Sequence, residues 1–93
     1  STTFFRVDVA DRSTTTADQS AIYKIEGGID RQANAATTAF VGTVAKTVFG
    51  EDVAGWDATV VANTTTGALD VQVTGATDVK FTANISYTTV TNA

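Results

Sequence analysis

The sequence predicts a small all-β domain, an antiparallel β-sandwich of about six to eight strands with a jelly-roll-like or immunoglobulin-like topology. Three observations favour this class. Thr, Val and Ala dominate, Leu occurs once, and Pro and Met are missing; β-branched residues suit a pleated sheet, whereas helices favour Leu, Glu, Lys and Met. Apolar residues recur at every second position in six short segments. Residues typical of turns separate these segments at the close spacing of a sandwich or small barrel.

The first two predicted strands show this alternation clearly. Phe5, Val7 and Val9 alternate with Arg6 and Asp8, which places the first strand near residues 3–10. The second strand covers residues 21–30, where Gly27-Gly28 interrupts the pattern and indicates a bulge or a bend. The polar, Thr-rich segment 11–19 between them is expected to be an exposed loop.

The third and fourth predicted strands are less regular at their ends. The third covers about 38–49, and because both of its faces are partly apolar we expect it to lie between two packed surfaces. Residues 31–37 before it form a loop or a single helical turn. The fourth strand begins at Trp56 and continues through Ala62, after an acidic connection at residues 51–55.

The last two predicted strands follow a recognisable turn. Residues 63–67, Asn-Thr-Thr-Thr-Gly, are rich in the residues that tight connections use. The fifth strand begins at Leu69 and ends at Gly75. The sixth is the most regular of all, with Val79, Phe81 and alternate residues to Tyr87 on one face.

Length and composition restrict how such a domain is stabilised. The 93 residues form one domain, 1–93, which buries only roughly 60–65% of the surface of the unfolded chain. There is no Cys to form a disulfide and neither Cys nor His to bind zinc, so we expect no structural metal. Self-association remains as the usual support for a small domain, which favours a homo-oligomer. The chain begins at Ser1, and we expect it to be a processed product or a fragment.

Charge and hydropathy argue against two classes of partner. The net charge is −4 and the six basic residues are scattered singly, whereas nucleic-acid binding needs clustered Lys and Arg. No apolar run approaches the roughly 20 residues of a membrane-spanning helix, so membrane insertion is not expected.

The available side chains also argue against catalysis. Without His or Cys the common triads and dyads are unavailable, and we predict no enzyme activity and no cofactor. Glu51, Asp52 and Asp57 form the densest acidic group, which could serve a small glycosidase or bind calcium. A solvated turn is the simpler interpretation. Glu51, Asp52, Asp57 and Trp56 are the candidate residues for contact with a ligand.

Trp56, the only Trp, has two interpretations. It is in phase with apolar Ala58, Val60 and Ala62, which indicates a core position. The alternative is that it stacks on a sugar ring next to the acidic connection. Tyr23 and Tyr87 also lie on apolar faces, and we predict that they are core or interface residues.

Several segments, taken in order, resemble a β-rich module of bacteriophage virion proteins, found chiefly towards the ends of tail fibres. The resemblance is carried by residues 21–27 (AIYKIEG), 40–44 (FVGTV), Glu51-Asp52 with Trp56-Asp57, and 66–75 (TGALDVQVTG). The closing strand of such modules has a large aromatic residue and an Arg near its middle. Phe81 takes the place of the aromatic residue, but the basic residue nearby is Lys80 and not an Arg, so this strand matches less closely.

The resemblance implies a non-enzymatic component on the exterior of a phage particle, trimeric and in contact with other virion proteins. It would lie at the tip of a tail fibre, where Thr- and Asn-rich loops contact a host surface and its glycans. A capsid decoration or cement protein is the alternative within the particle. A cellular carbohydrate-binding module is the alternative from another class.

Overall fold

The computed structural model describes residues 1–15, 19–53, 55–75 and 79–90, and most of them lie in strands. This confirms the all-β prediction. The six strands are β1 (Thr2–Ser13), β2 (Ser20–Asp30), β3 (Ala39–Glu51), β4 (Asp57–Ala62), β5 (Leu69–Thr74) and β6 (Val79–Val90). A 3-10 turn, Ala35–Thr37, precedes β3. Within the described ranges there is no helix with the length and apolar character that crossing a membrane requires.

The strands form two antiparallel sheets. A four-stranded sheet has the order β3-β2-β1-β6, and β4 pairs with β5 in a separate hairpin. The first three strands follow one another as neighbours, and β6 returns to lie beside β1. This is the strand order of one Greek key, with the β4–β5 hairpin inserted in its long connection. A jelly roll has two Greek keys and eight strands, so the six described strands form a simpler sandwich.

The core lies between the hairpin and one face of the four-stranded sheet, called the inner face here. Odd-numbered residues of β1 and β2 supply most of it, and β4 packs against β2 from the other layer. The buried apolar residues are Phe5, Val7, Val9, Ala21, Tyr23, Ile25, Ile29, Trp56, Ala58 and Val60. Because side chains alternate across a strand, the even-numbered residues of β1, β2 and β6 form the opposite, outer face.

Gly27-Gly28 lies at a bulge in the pairing of β2 with β3, as predicted, but the extra residues of the bulge belong to β3. Pairing of β2 with β3 shifts between Glu26 and Gly28, where β3 contains Gly42 at φ 67°. Gly27 has a packing role as well: a Cβ there would lie 3.1 Å from the ring of Phe5. The missing side chain lets the Phe5 ring lie across β2.

The segment 11–19, predicted to be an exposed loop, begins later than expected. β1 continues to Ser13, and Asp11 and Ser13 are buried on the inner face. The prediction is therefore wrong for residues 11–13, because the alternation of the first strand continues through polar residues. Residues 16–18 of this segment lie outside the described part.

The prediction that the third strand lies between two packed surfaces is also wrong. β3 is an edge strand of the four-stranded sheet, and most of its residues are exposed. Of the apolar residues of β3, Phe40 and Val44 pack against the core, and the others are exposed.

The predicted tight connection at residues 63–67 is confirmed. The Asn63 side-chain oxygen accepts hydrogen bonds from the backbone N–H groups of Thr65 and Thr66, at 2.9 and 3.1 Å. Gly67 adopts φ 77° and donates its N–H to the Asn63 carbonyl. Only a residue that tolerates a positive φ closes this turn without strain.

Candidate functional site

The acidic residues that the sequence singled out lie near one end of the inner face, around Tyr23. The Tyr23 hydroxyl donates a 2.8 Å hydrogen bond to Oε2 of Glu51, at the end of β3. Burial of the Tyr23 ring raises its pKa, and the hydrogen bond and the negative charge of Glu51 raise it further. Tyr23 is therefore a neutral donor that holds Glu51 in place.

Asp52 closes the end of the β2–β3 ladder. Its Oδ2 accepts a 2.8 Å hydrogen bond from the backbone N–H of Ser20, and its own N–H donates to the Ser20 carbonyl at 3.0 Å. Both bonds tie the end of β3 to the start of β2. Asp52 therefore serves the connection between strands.

Asp57 joins the two layers of the sandwich. Its Oδ1 forms an ion pair with the ammonium of Lys46, which also donates to the carbonyl of Ala58 at 3.3 Å. The hydrogen bond from Lys46 lowers the pKa of Asp57. Since the ion pair is partly exposed, it contributes little to the free energy of unfolding. The hydrogen bond from Lys46 to the Ala58 carbonyl occupies one backbone acceptor of β4.

Asp11 is the unexpected member of this region. It is 3% exposed, and neither of its carboxylate oxygens has a hydrogen-bond partner among the residues that the structure describes. Burial raises the pKa of its carboxyl group. Its register partner on β2 is Ala21, which is followed by Tyr23 on the same face, so Asp11 adds to the negative charge around the Tyr23 hydroxyl.

These groups do not converge as metal ligands. Among residues 1–15, 19–53, 55–75 and 79–90, no three carboxylates come together in an arrangement that could hold a metal ion. Glu51, Asp52 and Asp57 are each engaged by a different partner, namely a phenol, a backbone N–H and an ammonium group. Glu51 is the last residue of β3 and Asp57 the first of β4, so Asp52 alone of the three lies in the connection, of which residue 54 is outside the described part.

Trp56 lies in the core, which supports the first of its two interpretations. It is 5% exposed and packs with Ala58 and Val60 against the inner face. Little of the indole ring is left to stack on a sugar. Tyr23 is equally buried, at 1% exposure, whereas Tyr87 is 58% exposed.

The exposed apolar residues concentrate on the edges of the four-stranded sheet. Among the described residues, six of the nine large apolar side chains with high exposure belong to β3 and β6, the two edge strands. These six are Val41, Val48, Phe49, Phe81, Tyr87 and Val90. Large apolar side chains at a sheet edge are typical of surfaces that bind another polypeptide.

The sequence pattern alone did not distinguish these residues from the core. Phe81 and Tyr87 alternate in phase with Ala83 and Ile85, which are half-buried against the core. The missing information was the strand order, in which β6 has no second neighbour among the described strands. Residues 79–90 contain almost no charge, but that feature alone does not reveal which strand lies at a sheet edge.

Comparisons of the chain with protein-family models, with curated proteins and with solved structures gave no match.

Proposed function

We propose that this chain is a non-enzymatic structural module on the exterior of a bacteriophage particle, which functions by assembling with other polypeptides along the edges of its four-stranded sheet. A single observation carries the proposal. Large apolar side chains are exposed on both edge strands, including Phe49 at 64% and Phe81 at 55%. Exposure of this kind costs solubility in an isolated domain and is removed when a partner covers it.

The size of the domain supports the same interpretation. Among the described residues the buried core contains ten apolar residues, two of them Ala. A core of this size in a chain without Cys gains stability from association.

The order of segments that resembles virion modules supports the location on a phage particle. A position in the tail fibre is favoured, and a position on the capsid as a decoration protein is the alternative. Exposed apolar sheet edges that bind a neighbouring polypeptide suit both positions. The polar turn at residues 63–67 lies at one end of the hairpin and would be available for contact with a host surface.

The first experiment measures self-association. Sedimentation velocity of the chain over a range of micromolar concentrations is expected to show a mass that rises above 9.6 kDa. A variant with Phe49→Ser and Phe81→Ser is expected to sediment as a monomer at every concentration. A wild-type chain that stays monomeric throughout would contradict the proposal.

The second experiment concerns position. Antibodies against the folded domain, used in immuno-electron microscopy of particles purified from a phage that encodes the chain, are expected to label the tail. Labelling over the whole capsid would favour the decoration protein. Particles without the chain would contradict a structural role in the virion.

A further inference from the structure

We infer that a second copy of this chain pairs with the outer edge of β6 in the antiparallel direction, so that Asn84 of one protomer faces Asn84 of the other across a twofold axis. The inference rests on the proposed function and makes it specific: it names the edge, the partner and the register. The result would be a continuous eight-stranded sheet.

Three of the four sheet edges in the described structure are protected against backbone pairing with another strand, so the exposed apolar residues of β3 are left for contacts between side chains. β3 has two shifts in its register with β2, and its face towards the core carries Lys46. β5 is six residues long and contains Asp70. β4 is equally short, and Lys46 donates to the carbonyl of Ala58 on it. Bulges, short strands and charges are the devices that prevent edge-to-edge association.

β6 has only one of these devices, a single charged residue at its N-terminal end. It is 12 residues long, and its pairing with β1 runs without interruption from Thr2↔Val90 to Ser13↔Val79. It contains no Pro and no Gly, and its only charged residue is Lys80, next to its first residue. Its second edge has no strand partner within the described part of the chain. The backbone groups on that edge are therefore available to another strand.

The exposed side chains of β6 select the register. Phe81 and Tyr87 lie on the inner face, 55% and 58% exposed, on either side of half-buried Ala83 and Ile85. A twofold axis at Asn84 places Phe81 of each protomer opposite Tyr87 of the other, and Ala83 opposite Ile85. Directly opposed residues on one face of an antiparallel pair stabilise it, aromatic pairs especially.

The two neighbouring registers of the β6–β6 pair lose the pairing of Phe81 with Tyr87. Moving the axis by one residue to position 83 sets Phe81 against Ile85 and Tyr87 against Val79, so that the two aromatic pairs are lost. Moving it to position 85 sets Phe81 against Thr89. The register centred on Asn84 is the one that pairs both exposed aromatic residues.

These properties favour a second copy as the partner. The strand is complementary to itself when reversed, because large and small residues are placed symmetrically about Asn84. No charge is repeated across the axis, since Lys80 faces Thr88. The two aromatic residues bring roughly 200 Å² of exposed surface per protomer to the contact. That is a modest share of a stable interface, so we expect association at micromolar concentration.

Single cysteines test the register, because the chain has no Cys of its own. In an antiparallel pair, opposed residues have Cα atoms about 4.5–5.5 Å apart, within the range that a disulfide spans. Mild oxidation of Asn84→Cys is therefore expected to give a covalent dimer of most of the protein. Ser86→Cys is the matched control: its two copies would be four residues out of register, roughly 13 Å apart, and are not expected to cross-link.

A charge placed at the axis tests the edge. Asn84→Lys puts two ammonium groups opposite each other on the outer face and is expected to weaken association at least tenfold. Thr47→Lys adds the same charge on the exposed outer face of β3 and is expected to leave association unchanged. Emission from buried Trp56 and the far-UV spectrum establish that both variants are folded.

The outcomes separate this inference from the proposed function. Cross-linking at Asn84→Cys but not at Ser86→Cys, together with a dimer mass, supports the β6 pairing. Association that persists in Asn84→Lys, cross-linking of both Cys variants to the same extent, or a trimer would overturn the pairing and leave the proposed function standing. A monomer at all concentrations would overturn both.

Discussion

The buried carboxylate of Asp11 leads to a prediction with an unusual sign: its replacement by an apolar residue stabilises the fold. Asp11 is 3% exposed and has no hydrogen-bond partner within the described ranges, and it lies between Val9 and Ser13 on the inner face of β1. A buried polar group without a hydrogen bond costs about 1–3 kcal/mol. Asp11→Val removes that group and adds a β-branched apolar side chain of similar size, so we expect the free energy of unfolding to rise by about 2 kcal/mol.

The assay is urea unfolding at pH 7, followed through the fluorescence of Trp56, the only Trp. In a domain of this size about 2 kcal/mol corresponds to roughly 8–16 °C in Tm, which thermal unfolding would detect easily. Ala10→Val, on the exposed outer face of the same strand, is the control, and its effect is expected to stay within about 0.5 kcal/mol.

The pH dependence provides an independent check of the sign. Because burial raises the pKa of Asp11 in the folded state, the wild type is most favoured below the unfolded pKa of about 3.9 and loses stability as the pH rises through the folded value. The advantage of Asp11→Val is therefore expected to grow from acid to neutral pH. A variant less stable than the wild type at pH 7 would refute the reasoning and show that the carboxylate has a stabilising partner in solution.

Two further predictions concern the core. Tyr23→Phe is expected to cost about 1 kcal/mol at pH 7 through the lost hydrogen bond, and to abolish part of the loss of stability above pH 10. That loss follows from the raised pKa of Tyr23 and reaches at most about 1.4 kcal/mol per pH unit. It should remain in Tyr87→Phe, the exposed control. Equal pH profiles for the two variants would contradict this explanation. Gly27→Val is expected to cost about 1–3 kcal/mol because its Cβ would meet an aromatic ring at 3.1 Å, whereas Gly50→Val, with open space around it, should be nearly neutral. Urea unfolding measures all four, and an equal cost at both glycines would show that the close packing at Gly27 is not limiting.

The positions of the strands were predictable from the sequence because side-chain alternation is a local property. Phe5, Val7 and Val9 share a phase, and a half-buried sheet requires that phase. The same phase extends to Asp11, so its burial could have been anticipated by following the period rather than the polarity. The break at Gly27-Gly28 was equally visible.

The arrangement of the strands was not predictable, since it depends on contacts between distant segments. β6 pairs with β1 across more than 65 residues of chain, and nothing local indicates that Tyr87 will lie opposite Phe5. The hydrogen bond of Tyr23 to Glu51 depends on the number of extra residues in β3, which no alternation pattern reveals. The exposed edge could therefore be identified only after the sheet order was known.

Amide hydrogen exchange at low and high protein concentration tests the central claim, that an unprotected sheet edge is where this chain joins its partner. The account predicts that amides in Val79–Val90 become slower to exchange as the concentration rises, while those in Leu69–Thr74, on the short charged edge, keep their rates. Exchange in β6 that does not depend on concentration would contradict the account.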